Sequence, residues 1–595
     1  MQFIRPNFYI PKFFLLRQLK QCNTQSLSCD LSAGFNVALL AIPQGMAYSL
    51  VAGLPIKYGL LGSAIAAFAG GIFGGGKFIT QGPTNATAVL LFGVFASVGL
   101  IQANGLASGS ALEILPLVLL CTGIFLILAS ILRVSFIVQF VSRTVVTAYI
   151  TAASFLILAN QARHVLGITN VNESPASTFW GILNFLIRHL EMISLPTVCL
   201  SIFTGLIFIL LQILTPAVPG VAISLVLSSL GAWFMGIYGI EVLCLQSFSS
   251  SGNFFHLPNM GLLFECGPII FATSGALCLL CLLEGLSIGK SLSARSGARL
   301  DSNQETFSIG LGNLGCSLFS GMPASGSLTR STLNVESGAK TSIANIFAGG
   351  FVLLGFWVLG DFVCYIPLCS LATVVIFIGV SLIKVRQIKT VSRASRSDAF
   401  AFAVTFFVGL TVSLQFAIFA GVITSILLFL RKVAQPQLVE YGYTEEGRLT
   451  EASKKTSRPE PEVSIVHVEG ELFFAAADLF YDQIRRVGED PNLKVLVLKM
   501  LNAHHLDATS VLALEELFDY LKEKNCHILL CEVRKDCLRI LKNSGVLARM
   551  NRRNIFPHVV SNPTLSTAKA IKRAKFLVDG VATKVTIYAE QAPVA

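Results

Sequence analysis

Charge is what this chain has least of. Asp, Glu, Lys and Arg make up 13% of its 595 residues, against 53% hydrophobic residues and a mean hydropathy of +0.70. Soluble globular domains carry roughly 25% charged residues, so an ordinary soluble enzyme is excluded. Metal-ligand spacing is lacking too: His164, His256, His467, His504 and His505 are scattered, and His504-His505 reads as loop surface. Cys278 and Cys281 form a C-x-x-C with no second pair, whereas a structural zinc site needs four ligands. They read as helix packing, as do most of the 14 cysteines, because buried Cys behaves as a small hydrophobe. No nucleophile, base and orienting group occur as a recognisable set. The expectation is therefore no enzyme, no metal and no cofactor. Acids are absent before Asp30, while Arg5, Lys12, Arg17 and Lys20 precede it. The apolar patch 13–16 among those bases is too short for a cleavable signal. Nor does the net charge of +11 imply nucleic acid, since the basic residues are dispersed beside apolar runs, which suits membrane orientation.

What the chain has is apolar runs near the roughly 20 residues that cross a bilayer. In the first half they read as 31–49, 53–73, a short half-helix 84–101, 114–132, 145–160, 196–214 and 219–236. The second half reads as 269–290, 307–320, a half-helix from about Ser327, 343–364, 367–383, 400–414 and 416–430. Lys384, Arg386, Lys389, Arg393 and Arg396 fall after the twelfth segment, Arg133 and Arg143 after the fourth, and Lys290, Arg295 and Arg299 after the eighth. Residues 237–267 hold Glu241 and Glu265 but no Lys or Arg. This asymmetry places both termini in the cytoplasm. A sequon at Asn172-Glu173-Ser174 falls on the outer side and decides nothing. Domain boundaries read as a cytoplasmic segment 1–30, a transmembrane transport domain 31–432, a polar, Pro-containing linker 433–460, a soluble α/β domain 461–575 and a tail 576–595.

Two stretches break the apolar pattern: TQGPTNAT (80–87) and FSGMPASGSLTRSTLNVESGAKT (319–341). Interrupted helices in corresponding halves are the best sequence pointer to a transporter site. Each helix start carries about half a positive charge, so the pair near Thr84 and Ser327 suits an anion. Kinked but continuous helices are the plainer alternative. Glu284 and Arg330 sit in otherwise apolar surroundings, where a charge must face a cavity or a partner. They read either as a structural ion pair or as a coupling site. In the second case, two helix ends and Arg330 supply about +2, which an ionised Glu284 reduces to about +1. Protonation of Glu284 would thus favour a divalent anion, and the coupling is reciprocal. Gln44 and Tyr48, at i and i+4, share one face of the first helix and offer an amide and a phenol to an oxyanion. Their bland reading is helix packing and an interfacial Tyr.

With these residues in view, the sequence resembles the SulP family of anion transporters, of the sulfate permease type. The resemblance runs from AGFNVALLAIPQGMAY (33–48) and AGLPIKYGL (52–60) through nearly the whole chain, and it is most specific over 282–341. There Glu284, Asn303, Glu305, Gly310, Asn313, Pro323, Gly326, Ser327, Thr329, Arg330, Ser331, Gly338 and Thr341 match the family pattern. It implies an all-α polytopic membrane domain of about fourteen helices in a UraA-like seven-plus-seven inverted repeat, with a mobile core and a gate, usually dimeric, followed by a cytoplasmic α/β STAS domain. It also implies substrate contacts from Gln44, Tyr48, Asn85, Ser327, Thr329 and Arg330, and cation coupling through Glu284 and Arg330. Sulfate with protons, moved inward by elevator-like alternating access across a plasma or inner membrane, is the expected function. A sodium-coupled bicarbonate or dicarboxylate carrier, an exchanger or a channel is the alternative. Glu284 sets the chain apart from the family's animal-type exchangers, which generally lack that acid. Three departures from the pattern stand out. Ser510 replaces a STAS loop glycine, which counts against phosphorylation at Thr509. Gln415 stands where many relatives have an acid, and Thr84-Asn85 is more polar than the usual pair.

Overall fold

A computed structural model describes residues 8–12, 23–101, 106–134, 142–168, 178–214, 220–245, 254–297, 299–360, 362–434, 437–443, 449–451, 461–504, 506–560, 562 and 564–580. The sequon at 172–174, His505 and most of the tail lie outside them. The chain divides into two units, Met1–Ile426 and Leu427–Ala595.

The first unit is helical. Helices α1 (Thr24–Val51) and α2 (Ile56–Phe73) precede a three-residue strand β1 (Gln81–Pro83) and a short helix α3 (Asn85–Ser97), then α4 (Gly109–Ile131). Next come α5 (Arg143–Leu166), α6 (Phe179–Arg188), α7 (Leu195–Leu214) and α8 (Gly220–Ile237). The opening order then recurs: α9 (Leu262–Ser296), α10 (Ser302–Leu318), strand β2 (Ala324–Gly326), short helix α11 (Leu328–Glu336) and α12 (Ile343–Leu359). Helices α13 (Leu368–Leu382), α14 (Val385–Ala394), α15 (Arg396–Thr411) and α16 (Leu414–Val433) follow. Two helices, a strand and a half-helix, occurring twice, are the structural mark of the inverted repeat. Among the described residues nine helices are long and apolar enough to cross a membrane.

Local chemistry sets the helix ends. Helix α1 starts earlier than its apolar run because Asn23 and Ser26 form a reciprocal capping box. At the entry to α10, Asp301 accepts from the Gln304 amide at 3.1 Å. The close pass of α1 over α2 is set by Gly45 and Gly59, since a Cβ on Gly59 would strike the Gly45 carbonyl. Helices α6 and α14 were not among the segments read from the sequence. Both are ten residues long and too short to span.

Buried carboxylates staple the two repeats. Glu305 in α10 is fully buried and accepts from the amides of Gly75 (2.9 Å) and Gly76 (3.1 Å) and from Gln81 Nε2 (2.8 Å). Asp30 in α1, also fully buried, accepts from the Lys340 and Thr341 amides at 2.6 and 3.0 Å and from the Thr341 hydroxyl. Such charges are tolerable inside a protein only when hydrogen-bonded on this scale.

The second unit is a six-stranded sheet in the order β4-β3-β5-β6-β7-β8 with helices packed on it. Its strands are β3 (Gln437–Tyr443), β4 (Leu449–Glu451), β5 (Val463–Glu471), β6 (Val495–His504), β7 (His527–Val533) and β8 (Ile555–Pro557). Its helices include α17 (Phe474–Gly488), α18 (Ala508–Glu523), α19 (Lys535–Asn543), α20 (Val546–Arg549) and α21 (Leu565–Asp579). The parallel run β5 to β8 fits strands alternating with helices. Residues 437–443, read as linker, instead pair antiparallel with β5. Their alternation of Leu438, Glu440 and Gly442 with Val439, Tyr441 and Tyr443 is short and sits beside Pro436, so composition hid it.

Asp507 caps α18, accepting from the Ser510 amide at 2.9 Å, and also receives the Phe474 amide at 2.7 Å. Ser510, the departure from the loop glycine, puts its hydroxyl 2.9 Å from both Asp507 and the Leu472 carbonyl. Burial pushes the Asp507 carboxyl up, but the Ser510 and Phe474 donors outweigh it and hold it below its ordinary value. A depressed carboxyl stabilises the fold above its unfolded pKa, and that contribution is lost as pH falls through the folded value. Asp507→Ala is therefore expected to cost about 1 kcal/mol at neutral pH and less in strong acid, where the protonated carboxyl still accepts but carries no charge. Amide exchange at the starts of α17 and α18 should speed roughly fivefold; unchanged exchange there would refute the cap.

Candidate functional site

The two sequence breaks meet. Strands β1 and β2 pair antiparallel, with Gln81 opposite Gly326, Gly82 opposite Ser325 and Pro83 opposite Ala324. Helices α3 and α11 therefore begin from neighbouring strands, one from each repeat. Asn313 in α10 fixes β2 by accepting from the Ala324 amide (3.1 Å) and donating to its carbonyl (2.9 Å). Ser331 Oγ accepts from the Thr80 amide (2.9 Å), and the Ser327 amide donates to the Thr80 carbonyl (3.0 Å), so the start of α11 is tied to the residue before β1. The Cys281 thiol donates to the Ala324 carbonyl at 3.4 Å, which gives one half of the C-x-x-C a packing role.

The helix starts differ. Thr84 caps α3 in a reciprocal box with Thr87, whose hydroxyl also lies 3.2 Å from the Pro323 carbonyl. Ser327 makes no capping bond to α11; its hydroxyl lies 3.4 Å from Thr329 Oγ1. The first amides of α11 thus have no side-chain acceptor from their own cap, and such amides are a ready anion site.

The charged residues converge on the first break. Glu284 in α9 accepts from Thr84 Oγ1 at 2.9 Å. Arg330 in α11, 1% exposed, donates to the Pro83 carbonyl. Acid and base thus grip consecutive residues, Pro83 and Thr84, at the mouth of α3. Gly82 is required beside them, because a Cβ there would land on the Arg330 guanidinium. Arg330 Nε has no hydrogen-bond partner among the described residues.

Three further residues named from the sequence lie close by. Gln44 Nε2 is 3.5 Å from Thr329 Oγ1, which joins α1 to the start of α11. Tyr48, one turn on, is buried at 7% exposure. Asn85, the first residue of α3, is 6% exposed, and neither of its amide atoms has a partner among the described residues; the same holds for Gln44 Oε1. Buried amide atoms without partners are costly, and here they cluster at two helix starts. Thr84, Thr87 and Thr80 were absent from the residues named as site, since nothing in a lone Thr marks it as the link between two distant breaks.

Comparison with known proteins accords with this geometry. The Sulfate permease family profile matches residues 27–405 and the STAS domain profile matches 455–562. "Putative sulfate transporter YvdB" of Bacillus subtilis is 24% identical over 550 residues, covering 91% of this chain and 98% of that protein. "Sodium-independent sulfate anion transporter" of Bos taurus is 26% identical over 553 residues, covering 88% and 86%. Among solved structures, the murine Slc26a9 anion transporter in its inward-facing state superposes with a TM-score of 0.83 at 18% identity, covering 95% of this chain and 94% of that one. The transmembrane domain of a cyanobacterium bicarbonate transporter, BicA, gives 0.59 at 20% identity, covering 68% and 98%. With matching profiles over its helical and α/β parts and these relatives along most of its length, the chain belongs to the sulfate permease family of anion transporters.

Proposed function

We propose that the protein is a secondary active carrier that takes up sulfate together with protons, the anion lodging between the starts of α3 and α11. The observation that carries this reading is the grip of Glu284 and Arg330 on Thr84 and Pro83. Thr84 Oγ1 both caps α3 and donates to Glu284, so protonating the acid alters the cap of a helix start as well as the local charge. Each proton taken up raises the positive potential felt by the anion, and the anion in turn raises proton affinity. Alternating access then moves one part of the helical unit, carrying both helix starts, past the remainder. In this reading residues 31–432 are the transport domain and 461–575 the STAS domain. Both termini are cytoplasmic, the membrane is the plasma or inner membrane, and the working form is a homodimer.

One observation favours a second reading. Asn85 offers a donor and an acceptor, both without partners, and Gln44 offers an acceptor. Sulfate only accepts hydrogen bonds, whereas an oxyanion that carries a hydrogen, such as bicarbonate, uses both kinds of group. Proteoliposome uptake of labelled sulfate, bicarbonate and succinate, with pH and sodium gradients imposed separately, tests the two together. Saturable sulfate accumulation driven by an inward proton gradient is expected, and Asn85→Ala should leave it within roughly threefold of the parent, since only a neutral hydrogen bond is lost. Preferential bicarbonate uptake that Asn85→Ala abolishes would transfer the assignment to the second reading. Linear, gradient-insensitive flux would make the protein a channel.

A further inference from the structure

The helical unit also holds a large apolar groove outside the anion site. It has a volume of about 640 Å³ and lies between α1, α8 and the short turn Val363–Tyr365. Met46, Leu225 and Val363 form a buried floor, while Val226, Leu230 and Trp233 stand at the rim, each more than half exposed. Ser229 is the one hydroxyl residue of α8 in the lining, and its hydroxyl already donates to the Leu225 carbonyl at 2.8 Å. The wall then offers a polar ligand only the indole N–H of Trp233, at its rim, as a further side-chain donor. Water would gain little in a space lined by hydrocarbon. Both α1 and α8 are long and apolar enough to span a bilayer, so the medium around the groove is lipid hydrocarbon.

We propose that the groove is a binding site for one lipid acyl chain, held more tightly than the annular lipid around it. The side chains at 39, 42, 43 and 46 face the groove, whereas Gln44 and Tyr48 lie on the opposite side of α1. Pro43 interrupts the hydrogen bonding of α1 at this level. The acyl chain thus braces an interrupted helix against α8 from behind the residues that face the helix starts. This site stands independently of which anion the protein carries.

The chain has three tryptophans, Trp180, Trp233 and Trp357, so the full-length protein can be reduced to Trp233 alone or Trp357 alone. Trp357 is equally exposed but lies outside the groove. Each protein is loaded with a phosphatidylcholine dibrominated in its acyl chain, then diluted into lipid-free detergent. Quenching of Trp233 is expected to persist after that of Trp357 has vanished, and native mass spectrometry should show one phospholipid retained per chain. Ala222→Phe and Ser229→Phe, which fill the groove from α8, should each abolish both signals. Equal loss of quenching at Trp233 and Trp357 in the unfilled proteins would overturn the site without reliance on either filled variant. So would retention of the lipid by filled variants, or cross-links from position 233 to a second copy of the chain in place of lipid.

Discussion

Sulfate uptake by Glu284→Gln is expected to proceed at the same rate with and without an inward proton gradient. The amide keeps an oxygen that can accept from Thr84 Oγ1, which lies 2.9 Å from the carboxylate, so the start of α3 should stay in place. What the substitution removes is the ability to change charge. The variant is fixed in the neutral form, with the positive potential of two helix ends and Arg330 undiminished. The ratio of uptake at pH 5.5 to uptake at pH 7.5, expected to lie well above one in the parent, should fall to about one. Sulfate affinity at the higher pH should match that of the parent at the lower one. Thr84→Val gives the complementary case, since it keeps the acid but deletes its donor and the cap of α3. Its pH dependence should survive with its midpoint moved. A Glu284→Gln protein that still accelerates with the gradient would remove the acid from coupling, and the proton would need another carrier.

Arg330→Met should all but abolish uptake of any anion at this site. The guanidinium is among the largest fully buried side chains of the chain, sits against Gly82 and donates to the Pro83 carbonyl. Its loss removes about half the positive charge assembled for the anion and leaves a buried carbonyl without its donor. Truncating one partner of a buried, hydrogen-bonded charge arrangement weakens binding by about 2–5 kcal/mol, and each 1.4 kcal/mol is tenfold, so a fall of at least about 25-fold in uptake is expected. Arg330→Lys should recover little, because one ammonium cannot reproduce a planar fork wedged beside a glycine. Gly82→Ala should give a similar defect by displacing the same group from the other side. Thermal unfolding separates the causes: the reading requires that Arg330→Met be assembled and inactive. If it transports normally, the charge is structural and the anion is held by helix ends alone.

Much of the fold was legible because membrane spans write themselves as long apolar runs, and the two departures from that pattern, at 80–87 and 319–341, stood out against it. The reading missed elements that do not span. Helix α6 and helix α14 announce themselves by amphipathic periodicity over only ten residues, and strand β3 by a brief alternation next to proline. Within the site, Glu284 and Arg330 were conspicuous as isolated charges. Their actual partners were not, since the backbone carbonyl of Pro83 and the hydroxyl of Thr84 carry no charge to flag them.

The sequence by itself determined that this protein is a polytopic membrane domain joined to an α/β unit, that two helices are broken near small polar residues, and that a lone acid lies in an apolar run while a lone base lies within the second break. Hydrophobic patterning and the expense of charge in lipid act along the chain, so they can be read one segment at a time. Tertiary structure alone decided that the breaks join as the paired strands β1 and β2, that acid and base hold consecutive residues instead of pairing directly, and that Glu305 and Asp30 staple the repeats. Those are hydrogen bonds between residues hundreds of positions apart, and their strength depends on distance and direction in space, which no local pattern of residue types records.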